Sequence, residues 1–370
     1  MMAQSLTGAN EPRPSLPATR ALWHTSLMNV SPRLGILSRR TLISATASMV
    51  ALPAMAQSRS APARPSPARK GDGSFDLYVE GVKAEARRMG LSPVVLDRAF
   101  AGVHANQRVI DLDRHQPEFN LTWEQYRTRI VSDTRVARGR ELYARNRALL
   151  SAIDQRYGVP PGVLIGIWGL ESNYGQSTGG FNVIEALTTL AWEGRRGAFF
   201  RSELMDALKI LDHGDIAPER MTGSYAGAMG QTQFMPDSFL KYAVDYSGNG
   251  RRDIWGDLGD VFASTANYLA REGWRAGLPW GLPIGLAGGF NPTLAGRENR
   301  RAVGEWQRLG VIATTQRLPP PETVAAVLLP GGPGSEAYLA SYPNFQAIRR
   351  YNPSDFYCIS VGLIGDLVTA

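Results

Sequence analysis

One run constrains this chain more than any other: "RYGVPPGVLIGIWGLESNYG", residues 156–175. Pro160 and Pro161 cannot continue a preceding helix, and Pro161 can open the next one. Val163 to Leu170 is as apolar as a core helix, and the spacing predicts a helix over 162–173. Leu164, Ile167, Trp168 and Glu171 fall at i, i+3, i+4 and i+7, so they share one face. An ionisable acid therefore sits on or beside a buried stripe. An unpartnered buried carboxylate takes up its proton, and the negative end of a helix reinforces that. An acid that stays protonated near neutral pH can protonate a leaving oxygen. The competing reading turns Glu171 outward at a frayed helix end, where water solvates it.

The other segments read as mainly α. Residues 76–100 carry helical periodicity through Leu77, Val79, Val82, Ala86 and Met89. Helices are also expected over 122–157, 183–191, 199–212, 236–244 and 258–273. The texture changes near residue 277, where Gly, Pro and short β-branched runs predict a small β-containing subdomain. "FYCISVGLIGDLV" near the end predicts a helix docking back on the core. The fold class is α+β, mainly α. With 370 residues the chain can bury a sizeable core, as one large domain or two.

The net charge of +7 invites a nucleic-acid reading, but its location argues against one. Residues 73–370 hold 31 basic and 31 acidic side chains, so the excess lies in the head. A neutral body lacks the clustered cations that displace counterions from nucleic acid. Residues 1–56 read as an export signal, with Arg39-Arg40, a short apolar stretch and Ala54-Met55-Ala56 as an A-x-A cleavage site. Twin-arginine and general secretory export are both open, and Met28 is an alternative start. Residues 57–75 form a Pro/Ala-rich linker. The lone cysteine, Cys358, is far from the cleavage site, so no lipid anchor is expected there and the protein is expected to be soluble and periplasmic. His104, His115 and His213 lack close ligand spacing, which disfavours zinc.

Two further stretches bear on chemistry. "GSYAGAMGQTQFMPDSF" (223–239) combines small residues with Ser224, Tyr225, Gln231 and Gln233, a neutral polar lining that suits sugars better than phosphates. In "DYSGNGRRDIWGDLGD" (245–260), Asp245, Ser247 and Asn249 occupy positions 1, 3 and 5 of an EF-hand-type loop, with Gly250 at 6, the Arg251 carbonyl at 7 and Asp253 at 9. Gly256 stands where the bidentate Glu belongs, so Asp257 or Asp260 must supply that oxygen. A metal-free Asx turn is the alternative.

Together with "STANYLAREGW" and "RYNPSDFYCISV", these motifs resemble the lytic murein transglycosylase B family over most of residues 76–370. The resemblance implies a lysozyme-like core at about 150–280, a β subdomain at about 281–345 and a C-terminal helix packing back. It implies a carbon–oxygen lyase that cuts the MurNAc-β-1,4-GlcNAc bond of peptidoglycan and leaves 1,6-anhydro-MurNAc. It makes Glu171 the only catalytic carboxylate, first acid and then base, where ordinary glycosidases use two. It implies sugar contacts from Ser224 and Gln233. Tyr126, Tyr268, Tyr351 and Tyr357 would stack on sugars or orient the acid, and Arg195 and Arg196 would meet stem-peptide carboxylates. It implies a structural calcium held by Asp245, Ser247, Asn249, the Arg251 carbonyl and Asp260, and no cofactor for catalysis. Gln231-Thr232 replace the usual Tyr-Gly, a change expected at one subsite, and Pro353 replaces an Arg. The expected partners are glycan strands and the wall-synthesis and hydrolysis machinery, with no nucleic acid, and the protein is expected to be a monomer. Two other functions fit the same groove: a lysozyme-type hydrolase and a non-catalytic murein-binding protein.

Overall fold

The computed structural model describes residues 74–114 and 121–370. The export signal, Met28, the linker as far as residue 73, and His115 lie outside the described residues.

The fold is mainly helical with a small sheet. The periodicity over 76–100 resolves into two helices, α1 (Phe75–Arg88) and α2 (Pro93–Ala99). Gly90 turns the chain at φ 90 and Pro93 opens the second helix. Next come α3 (Gln107–Arg114), α4 (Trp123–Ile130), started by a Thr122/Gln125 capping box, and α5 (Asp133–Tyr157). Gly158, left-handed at φ 68, ends α5 and leads through the proline pair into α6 (Pro161–Ser172). Strand β1 (Phe181–Asn182) enters α7 (Val183–Glu193) and α8 (Gly197–His213), and β2 (Thr222–Gly223) returns antiparallel to β1. Helices α9 (Pro236–Tyr242) and α10 (Leu258–Arg271) flank the 245–257 loop.

The strands β3 (Gly281–Leu286), β4 (Arg301–Ala302), β5 (Val311–Ala313), β6 (Val324–Leu328) and β7 (Ala337–Ser341) form one antiparallel sheet in the order β4-β6-β7-β3-β5. Helix α11 (Val303–Arg308) supplies Trp306 to a separate small core with Leu282, Ile284, Val327 and Leu339. The chain then re-enters the helical body through α12 (Asn344–Tyr351) and α13 (Asp355–Thr369).

Ten of the twelve residues of α6 are buried, because α5, α10 and α13 surround it. Its tightest neighbour is α13. A methyl on Gly166 would lie 2.3 Å from the Val361 carbonyl, and one on Gly162 would lie 3.0 Å from that of Gly365. Two glycines four residues apart thus let the backbones meet and fix an antiparallel register between the helices.

Candidate active site

That register sets the first contact of the site. Glu171, one residue from the end of α6, is only 7% exposed. Tyr357, in the first turn of α13, donates its hydroxyl to Glu171 Oε1 at 2.8 Å. Burial, followed by the charge of Glu171, pushes the Tyr357 hydroxyl well above the usual tyrosine value, so it remains a donor. The Tyr126 hydroxyl is buried without a hydrogen-bond partner, and burial together with the charges of Cys358 and Glu171 raises it too.

The chain turns sharply after the acid. Asn173 and Tyr174 both hold left-handed backbones, at φ 49 and 59. Such residues store on the order of 1 kcal/mol or more each, and persist only where the surroundings fix them. Here Ser172 Oγ accepts from Gly175 N–H at 3.0 Å, and Tyr174 donates to the Arg135 carbonyl at 3.0 Å.

The polar lining comes from the segment after β2. Ser224 Oγ accepts from the N–H groups of Ala226 and Ala228, at 3.4 and 3.0 Å. Both lone pairs are engaged, which leaves the hydroxyl hydrogen to donate. Gln233, left-handed at φ 51, donates through Nε2 to the carbonyls of Thr178 and Gly230, while its Oε1 is buried without a partner. Ser224 is thus left with a donor and Gln233 with an acceptor.

The other expected site residues sort differently. Tyr268 and Tyr351 are 4% and 1% exposed, and their hydroxyls donate to the carbonyls of Arg350 and Thr232. Tyr126 and Tyr357 are as deeply buried. None of the four offers an open ring face, so stacking on a sugar does not fit this packing. Tyr268 and Tyr351 pack with Phe234 beneath the polar segment. Arg195 and Arg196 both bind Asp113, a buried carboxylate of α3. The carboxylate this pair meets is the chain's own, and the expectation of a stem-peptide contact draws no support from it. Gln231 is buried rather than lining a subsite, with its amide bonded at both ends.

In the 245–260 loop, Asp245 accepts the N–H groups of Gly248, Asn249 and Gly250, and Asn249 Oδ1 accepts that of Arg251. Burial opposes ionisation of Asp245, but these N–H donors hold it below the usual aspartate value. Asp257 caps α10. Asp260, fully buried, accepts from Tyr246 N–H at 2.7 Å and Ser247 N–H at 3.4 Å through Oδ1, and from Asp253 N–H at 2.7 Å through Oδ2. The wrap and its oxygen chemistry suit a hard cation. The donor set is poor in charge, because no cluster of three or more His, Cys, Asp or Glu among the described residues is placed to hold a metal.

Two acids on α13 bear on whether a second carboxylate serves Glu171. Asp355 is two residues before Tyr357, so it points to another side of the helix, and it pairs with Arg297 and Arg349. Asp366 is nine residues beyond Tyr357, about 14 Å along the axis. Asp355 is committed to its two arginines, and neither acid is hydrogen-bonded with Glu171. Sequence reading did not single out Asp366 or Trp255, and it placed Gln231 in a polar lining rather than in an inward tie. Their signal lies in pairing across the fold, not in local spacing.

A buried acid bonded to a tyrosine hydroxyl in a lysozyme-like helical fold fits the class of glycan-cleaving enzymes. The chain belongs to the transglycosylase SLT domain family, whose model matches residues 74–366. It is 33% identical over 251 residues to membrane-bound lytic murein transglycosylase B of Escherichia coli (strain K12), covering 67% of this chain and 68% of that protein. SltB3 from Pseudomonas aeruginosa, solved in complex with NAG-NAM-pentapeptide, is 43% identical with a TM-score of 0.77, over 81% of this chain and 80% of that one. The Escherichia coli lytic transglycosylase Slt35, solved in complex with calcium, is 28% identical with a TM-score of 0.68, over 79% and 92%. No helix among the described residues is long and apolar enough to cross a membrane.

Proposed function

We propose that this protein is a peptidoglycan lytic transglycosylase that cleaves the MurNAc-β-1,4-GlcNAc bond through Glu171 alone. The observation that carries the reading is Glu171 buried at the end of α6 against the Tyr357 hydroxyl. Burial and the helix terminus favour the neutral acid before reaction. Glu171 protonates the glycosidic oxygen, the C1–O4 bond breaks, and the GlcNAc hydroxyl leaves. Positive charge builds at muramyl C1. The carboxylate, now ionised and held by Tyr357, takes the proton from the C6 hydroxyl as that oxygen bonds to C1. The anhydro ring closes, no water is consumed, and Glu171 is protonated again. The second step is intramolecular, which lowers its barrier by several kcal/mol relative to attack from solution. Ser224 donating to, and Gln233 accepting from, an acetamido group of the substrate hold the sugar in register.

Residues 1–56 direct export to the periplasm, the linker runs from 57 only as far as 73, because Ser74 caps α1 and Phe75 opens it, and the catalytic domain follows. The substrates are glycan strands, met by a monomer that also contacts the cell-wall machinery. The 245–260 loop holds calcium weakly through Asp245, Ser247, Asn249, the Arg251 carbonyl and Asp260. That ion would neutralise the two carboxylates and stiffen the loop, and no catalytic step runs through it.

Mass spectrometry of a sacculus digest tests the reaction. Anhydro products are one water lighter than reducing ends. Wild-type protein is expected to give anhydro products and Glu171→Gln none. A digest containing only reducing ends would make the enzyme a hydrolase.

A further inference from the structure

Gln231 stands where a subsite change was expected, yet it is 9% exposed and faces inward. Its Oε1 accepts from Trp168 Nε1 at 2.7 Å, and its Nε2 donates to the Trp255 carbonyl at 2.9 Å. Its backbone N–H donates to the Ile254 carbonyl at 2.9 Å. Trp168 is one turn before Glu171 on α6, and its ring is wedged edge-on against Tyr174 and Phe262. Trp255 reaches the other wall, where its Nε1 donates to the Thr222 carbonyl at 2.8 Å, two residues before Ser224. Gly175 leaves room for this arrangement, since a methyl there would lie 2.4 Å from Gln231 Oε1.

We infer that Gln231 is a positioning residue, a strut that ties the helix carrying Glu171 to the 245–260 loop and, through Trp255, to the segment carrying Ser224. The inference deepens the reading of Glu171 as the acid and rests on it. Both ends of the Gln231 amide are already bonded within the protein. It acts by holding acid and donor at a fixed separation through the Trp168 and Trp255 bonds. Misplacement of a reacting group by about 1 Å costs on the order of 100-fold in rate, so the strut governs turnover more than affinity.

The test uses the whole protein on purified soluble glycan strands, with kcat and KM measured separately and folding checked by circular dichroism. Gln231→Met keeps the volume and removes both side-chain bonds. Trp168→Phe removes one bond from the opposite side. Each variant is expected to stay folded, to lose roughly 10- to 100-fold in kcat and to change KM less than about threefold. The double variant is expected to lose no more than the worse single one, because both delete the same tie. A folded Gln231→Met with wild-type kcat, a loss confined to KM, or losses that multiply in the double variant would overturn the strut. If Gln231→Met does not fold, Trp168→Phe decides by the same split. Wild-type protein giving no anhydro product overturns the parent reading and the strut with it. Wild-type anhydro product beside an unimpaired variant overturns the strut alone.

Discussion

Glu171 and Asp260 are both buried carboxylates on helices of the same body, and their surroundings are opposite. Glu171 occupies the last turn of α6, where unpaired carbonyls disfavour negative charge. Asp260 occupies the first turn of α10, where the helix favours it. Glu171 takes a tyrosine hydroxyl, which serves the neutral acid and the anion alike. Asp260 takes three backbone N–H groups, which serve only an acceptor. Burial raises Asp260 above the usual aspartate value, and the N–H groups of Tyr246 and Asp253 offset only part of that rise. One environment sets a hydroxyl donor against the acid. The other uses the oxygens to hold a loop closed.

The sharpest way to break this comparison is to neutralise each acid. Glu171→Gln is expected to cost at least 1,000-fold in turnover, on the order expected for losing both acid and base, while thermal unfolding moves by only about 2 °C because the amide oxygen still accepts the Tyr357 hydroxyl. Asp260→Ala is expected to do the reverse to the fold. It strands three N–H groups, each worth about 1–3 kcal/mol, and is expected to lower the unfolding free energy by about 3–5 kcal/mol in urea. An Asp260→Ala protein as stable as Glu171→Gln would show that the loop is closed by something else.

How much of this was legible in the sequence follows from which forces were local. The α6 helix, its proline entry and the acid on its apolar stripe were legible, because periodicity and capping act within a few residues. The break between α1 and α2 was legible only as Gly90 and Pro93, which the longer periodicity masked. The antiparallel register of α6 on α13 was not read. Its cause is small residues meeting 200 positions apart, Gly162 and Gly166 on Val361 and Gly365, and no window spans that separation. The tyrosines were found by resemblance, but which ring meets the acid depends on that register. Asp113 on Arg195 and Arg196 is the same lesson, since a basic pair reads as a surface feature until its partner on α3 arrives.

A third acid extends the comparison at smaller scale. Asp366, near the end of α13, accepts from Trp280 Nε1 at 3.3 Å. Burial pushes it up to about 6, against hydrogen bonds from Trp280 and Gln316. A folded value above the unfolded one means the native state binds the proton more tightly. Its contribution to stability is present below about pH 4 and is lost as pH rises through about 6. Asp366→Asn is therefore expected to stabilise the protein by about 2 kcal/mol at pH 7.5 and to be neutral at pH 4. An equal effect at both pH values would place its cause in packing, not charge.

Calcium gives the smallest effect and tests the loop from its other end. Because N–H donors already satisfy Asp245 and Asp260, the loop is expected to keep its shape when stripped of metal by chelation. With two carboxylates in the donor set, affinity is expected at the weak end of EF-hand loops, near 1 mM. Adding about 10 mM calcium to such a site stabilises the fold by about 1.4 kcal/mol, roughly 3 °C in a domain of this size. Asp245→Asn is expected to abolish that shift while leaving Glu171 chemistry in place. A shift above 10 °C would mean the ion is the loop's main support and Asp260 merely one of its ligands, which would erase the contrast with Glu171. No shift at all would leave Asp260 as the sole closure of a loop that has kept the outline of a metal site without its charge.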